Sequence, residues 1–436
     1  VTDLLAPLQS LKQGNWFKLI CGASYQHLPA VRNLTLAYTL AGADCVDVAA
    51  DPAVIAATQE ALLVAQGLVN DAQKRGFAFT GNLPLLMVSL NDGEDPHFRK
   101  AEFNAQDCPS DCSRPCEKIC PAQAILFNNT KDDFSGVISE KCYGCGRCLP
   151  ICPYGIIYTK SYVSTPGAIA SLARGNAPLI MSTGIDAVEI HTQVGRLAEF
   201  QRLWDAMTPW ADKLKLVAIS CNDGEGLIDY LKAIYNLIVP RPQFLIWQTD
   251  GRSMSGDIGD GTTIATIKLG QKVLTANLPG YVQLAGGTNS YTVPKLRGMG
   301  LLQEAREQGA NKEREQGAGS KGENEEMEQG TGYKQENSSP LPPAPCPSAS
   351  SPLPPAPCPS ASSPLPPAPC PSASISGVAY GSYARVLLSP ILDQLQQKEV
   401  INTDNQGNMR LEEEPELLWE AVRLAHTLVS QIKSGQ

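Results

Sequence analysis

Eight cysteines fall in two runs of four between residues 108 and 152. A fold built from this chain must bring those thiols together rather than scatter them through a core. The runs are Cys108-x3-Cys112-x3-Cys116-x3-Cys120-Pro121 and Cys142-x2-Cys145-x2-Cys148-x3-Cys152-Pro153. Thiolates are soft ligands, and four of them arranged tetrahedrally suit zinc or iron–sulfur. Spacings of two, two and three residues closed by Cys-Pro wrap three sulfurs round one cube and send the fourth to a neighbouring one. The expected sets are therefore crossed. Cys142, Cys145 and Cys148 are completed by Cys120, and Cys108, Cys112 and Cys116 by Cys152. Two [4Fe–4S] clusters follow. A zinc pair requires neither the Cys-Pro endings nor the duplication. Disulfides suit an oxidising compartment, and the first residues carry no secretory pattern.

The two halves also match beyond the cysteines. Pro121-Ala-Gln-Ala-Ile125 answers Pro153-Tyr-Gly-Ile-Ile157. Each opens a short apolar stretch that predicts a strand, Ala124–Phe127 and Ile156–Thr159, with a further strand at Gly136–Ser139. Gly144 and Gly146 let the backbone turn its N–H groups toward sulfide. The first run departs from the usual spacing by one residue in each of its first two gaps. That leaves a [3Fe–4S] or labile first centre open. Lys100, Arg114, Lys118, Lys141 and Arg147 flank the runs, either offsetting cluster charge or as ordinary solvated surface.

Outside this module the chain alternates apolar runs with helical patterns. The predicted strands are Phe17–Cys21, Cys45–Ala49, Leu85–Leu90, Ala187–His191, Lys215–Ser220, Gln243–Gln248, Tyr281–Ala285 and Gly377–Tyr380. Pro52–Val69, Ala198–Leu214 and Leu227–Ile238 carry helical spacing. Eight such units predict an α/β fold, a (β/α)8 barrel with an inserted ferredoxin-like α+β module. An open α/β sheet with the same insert is the alternative, because periodicity does not prove closure. The expected divisions are 1–95 and 165–302 for the two parts of the barrel, 96–164 for the module and 375–436 for the last unit and a terminal helix. Residues 303–374 are a low-complexity insert. It repeats Ser-Ser-Pro-Leu-Pro-Pro-Ala-Pro-Cys, and its Cys346, Cys358 and Cys370 lie too far apart in extended chain to act as ligands.

A net charge of -9 excludes a general nucleic-acid surface. No 18-residue apolar stretch predicts an integral membrane segment. The expectation is cytoplasmic, with loose membrane association left open.

Barrel active sites lie at the C-terminal ends of the strands. There the sequence offers Asp47, Asp51, Asn91, Asp92, Glu189, His191, Asn222, Asp223, Asp250 and Arg252. Glu189 and His191 alternate onto one strand face, and a histidine at the mouth can move protons. Gly286, Gly287 and Gly381 offer a cradle for a phosphate or flavin tail, with Arg385 adding charge. Tight turns explain the glycines equally well. Cys21, Cys45 and Cys221 read as small core residues.

The cysteine runs resemble the bacterial two-cluster ferredoxin module over Cys108–Thr159. More of the chain resembles the cyanobacterial light-dependent period family. The carrying residues are Asp95-Pro-His-Phe-Arg-Lys-Ala-Glu-Phe-Asn104, Ser113-Arg-Pro-Cys116 in the irregular run, Met181 to Thr192, and Leu284 to Leu296. The resemblance covers residues 1–300 and about 375–428, not the proline–cysteine repeat. It implies low-potential electron transfer or redox sensing in circadian light input. It also implies a redox donor, a response to electron supply in which quinone is the carrier to consider, and a circadian input kinase and oscillator proteins as partners. A second class is a ferredoxin-linked barrel oxidoreductase using a flavin or a phosphorylated ligand. A third keeps the clusters as structural elements.

Overall fold

The computed structural model describes residues 6–22, 28–77, 79–93, 99–120, 123–129, 134–139, 141–142, 147–161, 184–251, 261–302, 371–401 and 410–433. The described residues form twelve strands, numbered in chain order. Eight of them, all parallel, close into a barrel: β1 (Trp16–Gly22), β2 (Cys45–Ala49), β3 (Leu85–Asn91), β8 (Ala187–Thr192), β9 (Leu216–Asn222), β10 (Leu245–Asp250), β11 (Gly280–Ala285) and β12 (Pro371–Tyr380). β12 pairs with β1, Trp16 opposite Gly377, and so seals the ring. That closure excludes the open sheet. β12 begins at Pro371, inside the expected 303–374 segment; residues 303–370 lie outside the described residues.

Side chains alternate across a strand with a period of two, and this rule sorts the barrel. Phe17, Leu19, Val46, Val48, Leu86, Val88, Val188, Ile190, Val217, Ile219, Leu245, Trp247, Val282, Leu284, Val378 and Tyr380 point outward into one continuous core under the helices. The opposite parity points inward. At the N-terminal ends of the strands it is apolar. Trp16, Cys45, Leu85, Ala187, Leu216 and Ile246 pack with Leu8, Leu11 and Phe244 into a floor. Each fully buried large side chain in these layers contributes roughly 1.5–3 kcal/mol.

The helices follow local signals. Asp51 accepts a hydrogen bond from Ala53 N at 2.9 Å and caps helix 52–67, with Pro52 in the first turn. The terminal helix Pro415–Lys433 buries Leu418, Val422, Ala425, Val429 and Ile432 along one face. Just before it, Glu412 takes a bidentate pair from Arg32 at 2.8 and 2.5 Å. Val429 is buried in this core, and Trp419 and Leu424 pack against it.

The inserted module leaves after β3 and returns before β8, strands that are direct neighbours in the barrel. Two antiparallel pairs organise it. β4 (Arg99–Glu102) pairs with β7 (Tyr158–Ser161), and β5 (Ile125–Asn129) with β6 (Phe134–Val137). Lys100 on β4 reaches Asp51, just past the C-terminal end of β2, so the module stands at that end of the barrel.

The seam between β1 and β12 is sterically tight. A Cβ at Gly377 would lie 2.6 Å from the Trp16 carbonyl oxygen and from its Cδ1. At Gly381 the nearest atoms would be 3.7 Å away. Gly377→Ala is expected to cost about 2 kcal/mol or more, and Gly381→Ala to stay within about 0.5 kcal/mol. Urea unfolding of the two variants checks this contrast.

Candidate functional site

Five of the eight cysteines gather in a small core of their own. Cys116, Cys142 and Cys148 are buried with Ala101, Phe103, Ala124, Ile125 and Ile157, and Cys120 and Cys152 pack at its edge. Cys145 lies outside the described residues, as do Gly144 and Gly146. Among the described residues no three Cys, His, Asp or Glu side chains converge on a single metal position. The thiols nevertheless sense one another in the first expected set. Burial, then Cys112 and Cys152, push the Cys108 thiol up, with Arg114 opposing. Burial also raises Cys116, with Cys152 and Cys108 contributing.

Backbone N–H groups are aimed at the sulfurs. Arg114 N donates to Cys112 Sγ at 3.4 Å, Ala101 N to Cys142 Sγ at 3.4 Å, and Ala124 N to Cys120 Sγ at 3.2 Å. For Cys152, burial pushes the thiol up, but N–H groups of Tyr154, Ile156, Ile157 and Gly155 outweigh it and hold the thiol below its ordinary value. The last two cases are one turn used twice. Ala124 stands four residues after Cys120, as Ile156 does after Cys152. The residue before each, Gln123 and Gly155, is left-handed, with φ of 48° and 61°. Soft sulfur donors, an apolar surround and N–H groups directed at sulfur all fit an iron–sulfur group. The guanidinium of Arg114 lies 4.4 Å over the Phe127 ring. Lys100 is buried and paired, unlike solvated surface.

The barrel holds a second constellation. Above the apolar floor, the next inward layer is polar: Lys18, Asp47, Ser89, Glu189, Ser220, Gln248 and Gln283. Lys18 Nζ lies 2.9 Å from Asp47 Oδ2, meets Glu189, and donates to Gln248 Oε1 at 3.0 Å. Gln248 Nε2 donates to Glu189 Oε1 at 2.6 Å. Gln283 Nε2 donates to Gln248 Oε1 at 2.6 Å, and Trp16 Nε1 to Gln283 Oε1 at 2.7 Å. His191 is the layer's contact with the mouth. Its side chain is 31% exposed, and its Nε2 lies 3.2 Å from Glu189 Oε1 and 3.3 Å from Ser89 Oγ.

Burial and pairing move the titrating groups of this layer off their ordinary values. Burial alone would discharge Lys18, but Asp47 and Glu189 outweigh it and raise the ammonium. Burial raises Asp47, with Lys18 only partly opposing. Glu189 is lowered, because Lys18 and His191 overcome its burial. Asp250 takes a hydrogen bond from Ser220 and is pushed up to about 6, by burial first and then by Glu189.

The remaining candidates separate. Asn91 accepts from Gly93 N at 3.1 Å, and Asp92 pairs with Arg196 at 3.3 Å. Asp223 pairs with Lys272 at the surface. Arg252 lies outside the described residues. Gly286 and Gly287 form a left-handed turn whose carbonyls accept from Thr266 and Thr262. Arg385 donates to the carbonyls of Ile20 and Cys21 at 3.2 and 3.4 Å and to Ser382 Oγ at 3.0 Å, which ties its helix to the end of β1. Cys21, Cys45 and Cys221 are buried. Lys18, Gln248 and Gln283 were missed by sequence reasoning. The parity of their strands was the available signal.

Two protein families match this sequence. Residues 179–431 match "Light dependent period A C-terminal domain", and residues 108–163 match "LdpA Fe-S cluster-binding domain". The protein belongs to the light dependent period A family. It is 50% identical over 296 residues to the protein "Light dependent period A" of Synechococcus elongatus, covering 68% of this chain and 77% of that one. Over short stretches the chain is also similar to two uncharacterised ferredoxins of Methanocaldococcus jannaschii. One is 42% identical over 50 residues, 12% of this chain and 31% of that protein. The other is 38% identical over 50 residues, 12% of this chain and 28% of that protein. The module is thus an iron–sulfur cluster-binding domain of ferredoxin-like character. Among the described residues no helix is long and apolar enough to cross a membrane.

Because the Asp250 carboxyl sits above its ordinary value, folding favours its protonated form. Its contribution to stability is complete below the unfolded value of 3.8 and is lost as pH rises through about 6. Asp250→Asn cannot ionise. Its stability relative to the unaltered protein is expected to rise between about pH 4 and pH 6 and to level off above, read by thermal unfolding at each pH.

Proposed function

We propose that this chain is an iron–sulfur redox sensor that carries the cell's redox or light state to the circadian clock, through two [4Fe–4S] clusters held by the crossed cysteine sets. The observation that carries this reading is the repeated Cys-Pro turn, with N–H groups on the sulfur of Cys120 and Cys152, in a chain of the light dependent period A family. Backbone N–H groups directed at sulfur favour the more negative, reduced state and so adjust potential. Cys108, Cys112 and Cys116, completed by Cys152, form the sensing set, because their wider spacing holds iron less tightly. A low-potential redox carrier supplies the electron. A circadian input kinase and oscillator proteins read the result in the cytoplasm.

A second reading is favoured by one observation, the charged layer beneath the barrel mouth. Ordinary barrel interiors are filled by branched apolar side chains. Lys18, Glu189 and His191 in that position suit proton transfer to a substrate reduced through the clusters. A stoichiometric flavin band in purified protein favours this oxidoreductase over the sensor.

Anaerobically purified protein is expected to hold about eight iron atoms per chain. In the crossed arrangement, Cys120→Ser removes the paramagnetic signal of the centre held by Cys142, Cys145 and Cys148. Cys152→Ser removes the other. Each variant is expected to lose about half of the iron. Iron counting with electron paramagnetic resonance decides it; zinc in place of iron, or unchanged iron in both variants, rejects the assignment.

A further inference from the structure

One buried lysine joins the cysteine module to the barrel. Lys100 Nζ lies 2.8 Å from Asp51 Oδ2 and donates to the Ser139 carbonyl at 2.6 Å. Lys100 is 7% exposed and Asp51 3%. The adjacent residue, Ala101, donates its N–H to Cys142 Sγ. Ser139 lies three residues before Cys142, in the turn whose Ile138 carbonyl accepts from Cys142 N at 3.0 Å. On the other side, Asp51 caps helix 52–67 through Ala53 N. A single ammonium therefore lies between a barrel carboxylate and a loop that carries a candidate cluster ligand. Ion pairs removed from water interact far more strongly than exposed ones.

We propose that Lys100 is a positioning residue for the Cys142 centre: its charge couples the electron count of that centre to the barrel through Asp51. The inference rests on the reading of Cys142 as a cluster ligand. One electron enters the centre from a low-potential donor, and no bond is made or broken. Lys100 answers the added negative charge by shifting toward the cysteine loop and loosening its hold on Asp51. The cap of helix 52–67 then changes, and the barrel registers the electron. Removing Lys100 takes away a positive charge and disfavours reduction. Neutralising Asp51 takes away a negative charge beside Lys100 and favours reduction. Asparagine caps a helix about as well as aspartate, so Asp51→Asn changes charge while keeping the cap.

The test is a potentiometric titration of the full chain with dithionite, followed by electron paramagnetic resonance. Lys100→Gln is expected to move the reduction equilibrium of one centre toward the oxidised form, by up to about tenfold, which is about 59 mV for a one-electron couple. Asp51→Asn is expected to move it the opposite way. The double variant returns toward the unaltered value, and Lys100→Arg rescues it. Shifts of one sign or none overturn the proposal. A second measurement needs no variant. Amide exchange at Ala53–Ile55 is expected to quicken in dithionite-reduced protein, and equal exchange in both states overturns the coupling. Unaltered protein without iron rejects the sensor reading itself; iron present without opposed shifts rejects only the role of Lys100.

Discussion

A lysine ammonium with no access to water cannot stand alone, and neutralising Lys18 is what links strands across the interior of this barrel. Its partners come from β2, β8 and β10 as Asp47, Glu189 and Gln248. Gln283 and Trp16 extend the same hydrogen-bonded series to β11 and back to β1. Such a layer is a poor route to stability. Several kcal/mol of desolvation per ion is only partly returned by pairing, and apolar side chains of similar volume often do as well. Breaking the set costs more, about 3–5 kcal/mol, because a buried charge is left without compensation. The apolar floor beneath it fills the barrel in the ordinary way. The charged layer therefore marks the end of the barrel that faces the module.

The module's position follows from the same topology. Its two attachment points, β3 and β8, are hydrogen-bonded neighbours, so the barrel closes without any contribution from the insert. The β4–β7 ribbon gathers the chain entering and leaving the module, Arg99 opposite Ser161 and Glu102 opposite Tyr158. With Lys100 on that ribbon, the stem supplies both the fold of the module and its buried contact with Asp51. Iron–sulfur chemistry and the barrel's charged interior then lie at one end of one structure.

Much of this is legible in the sequence. The eight barrel strands stand out because parallel strands buried on both faces read as apolar runs, and except at β12 the observed limits lie within two residues of the expected ones. Glu189 and His191 were placed on one face by alternation, and they share it. Lys18 was not seen as a partner, because one lysine in Trp16–Gly22 looks like a solvated position until closure turns its face inward. β4 was missed for a related reason. Arg99-Lys-Ala-Glu102 is polar and four residues long, and it forms a strand only because Tyr158–Ser161 lies beside it. Arg385 was read as an anion ligand from its position after β12, whereas its donors meet backbone carbonyls that no sequence pattern displays.

The two halves of the module agree in one place and differ in another, and the division has a physical sense. They agree at the Cys-Pro turn, where Ala124 and Ile156 return an N–H to the cysteine four residues earlier. Gln123 holds the left-handed backbone there that Gly155 holds in the other half, although a side chain disfavours it by roughly 1–2 kcal/mol. They differ in the gaps among the first three cysteines, where the first run carries the longer loops. A wider loop is tolerable where three ligands reach a nearby centre, because added residues can bow outward at small entropic cost. The fourth cysteine has no such freedom if it must point to the other centre: its direction is set by the turn that follows it. With crossed ligand sets, that demand would account for the left-handed Gln123, and its absence for the irregular spacing.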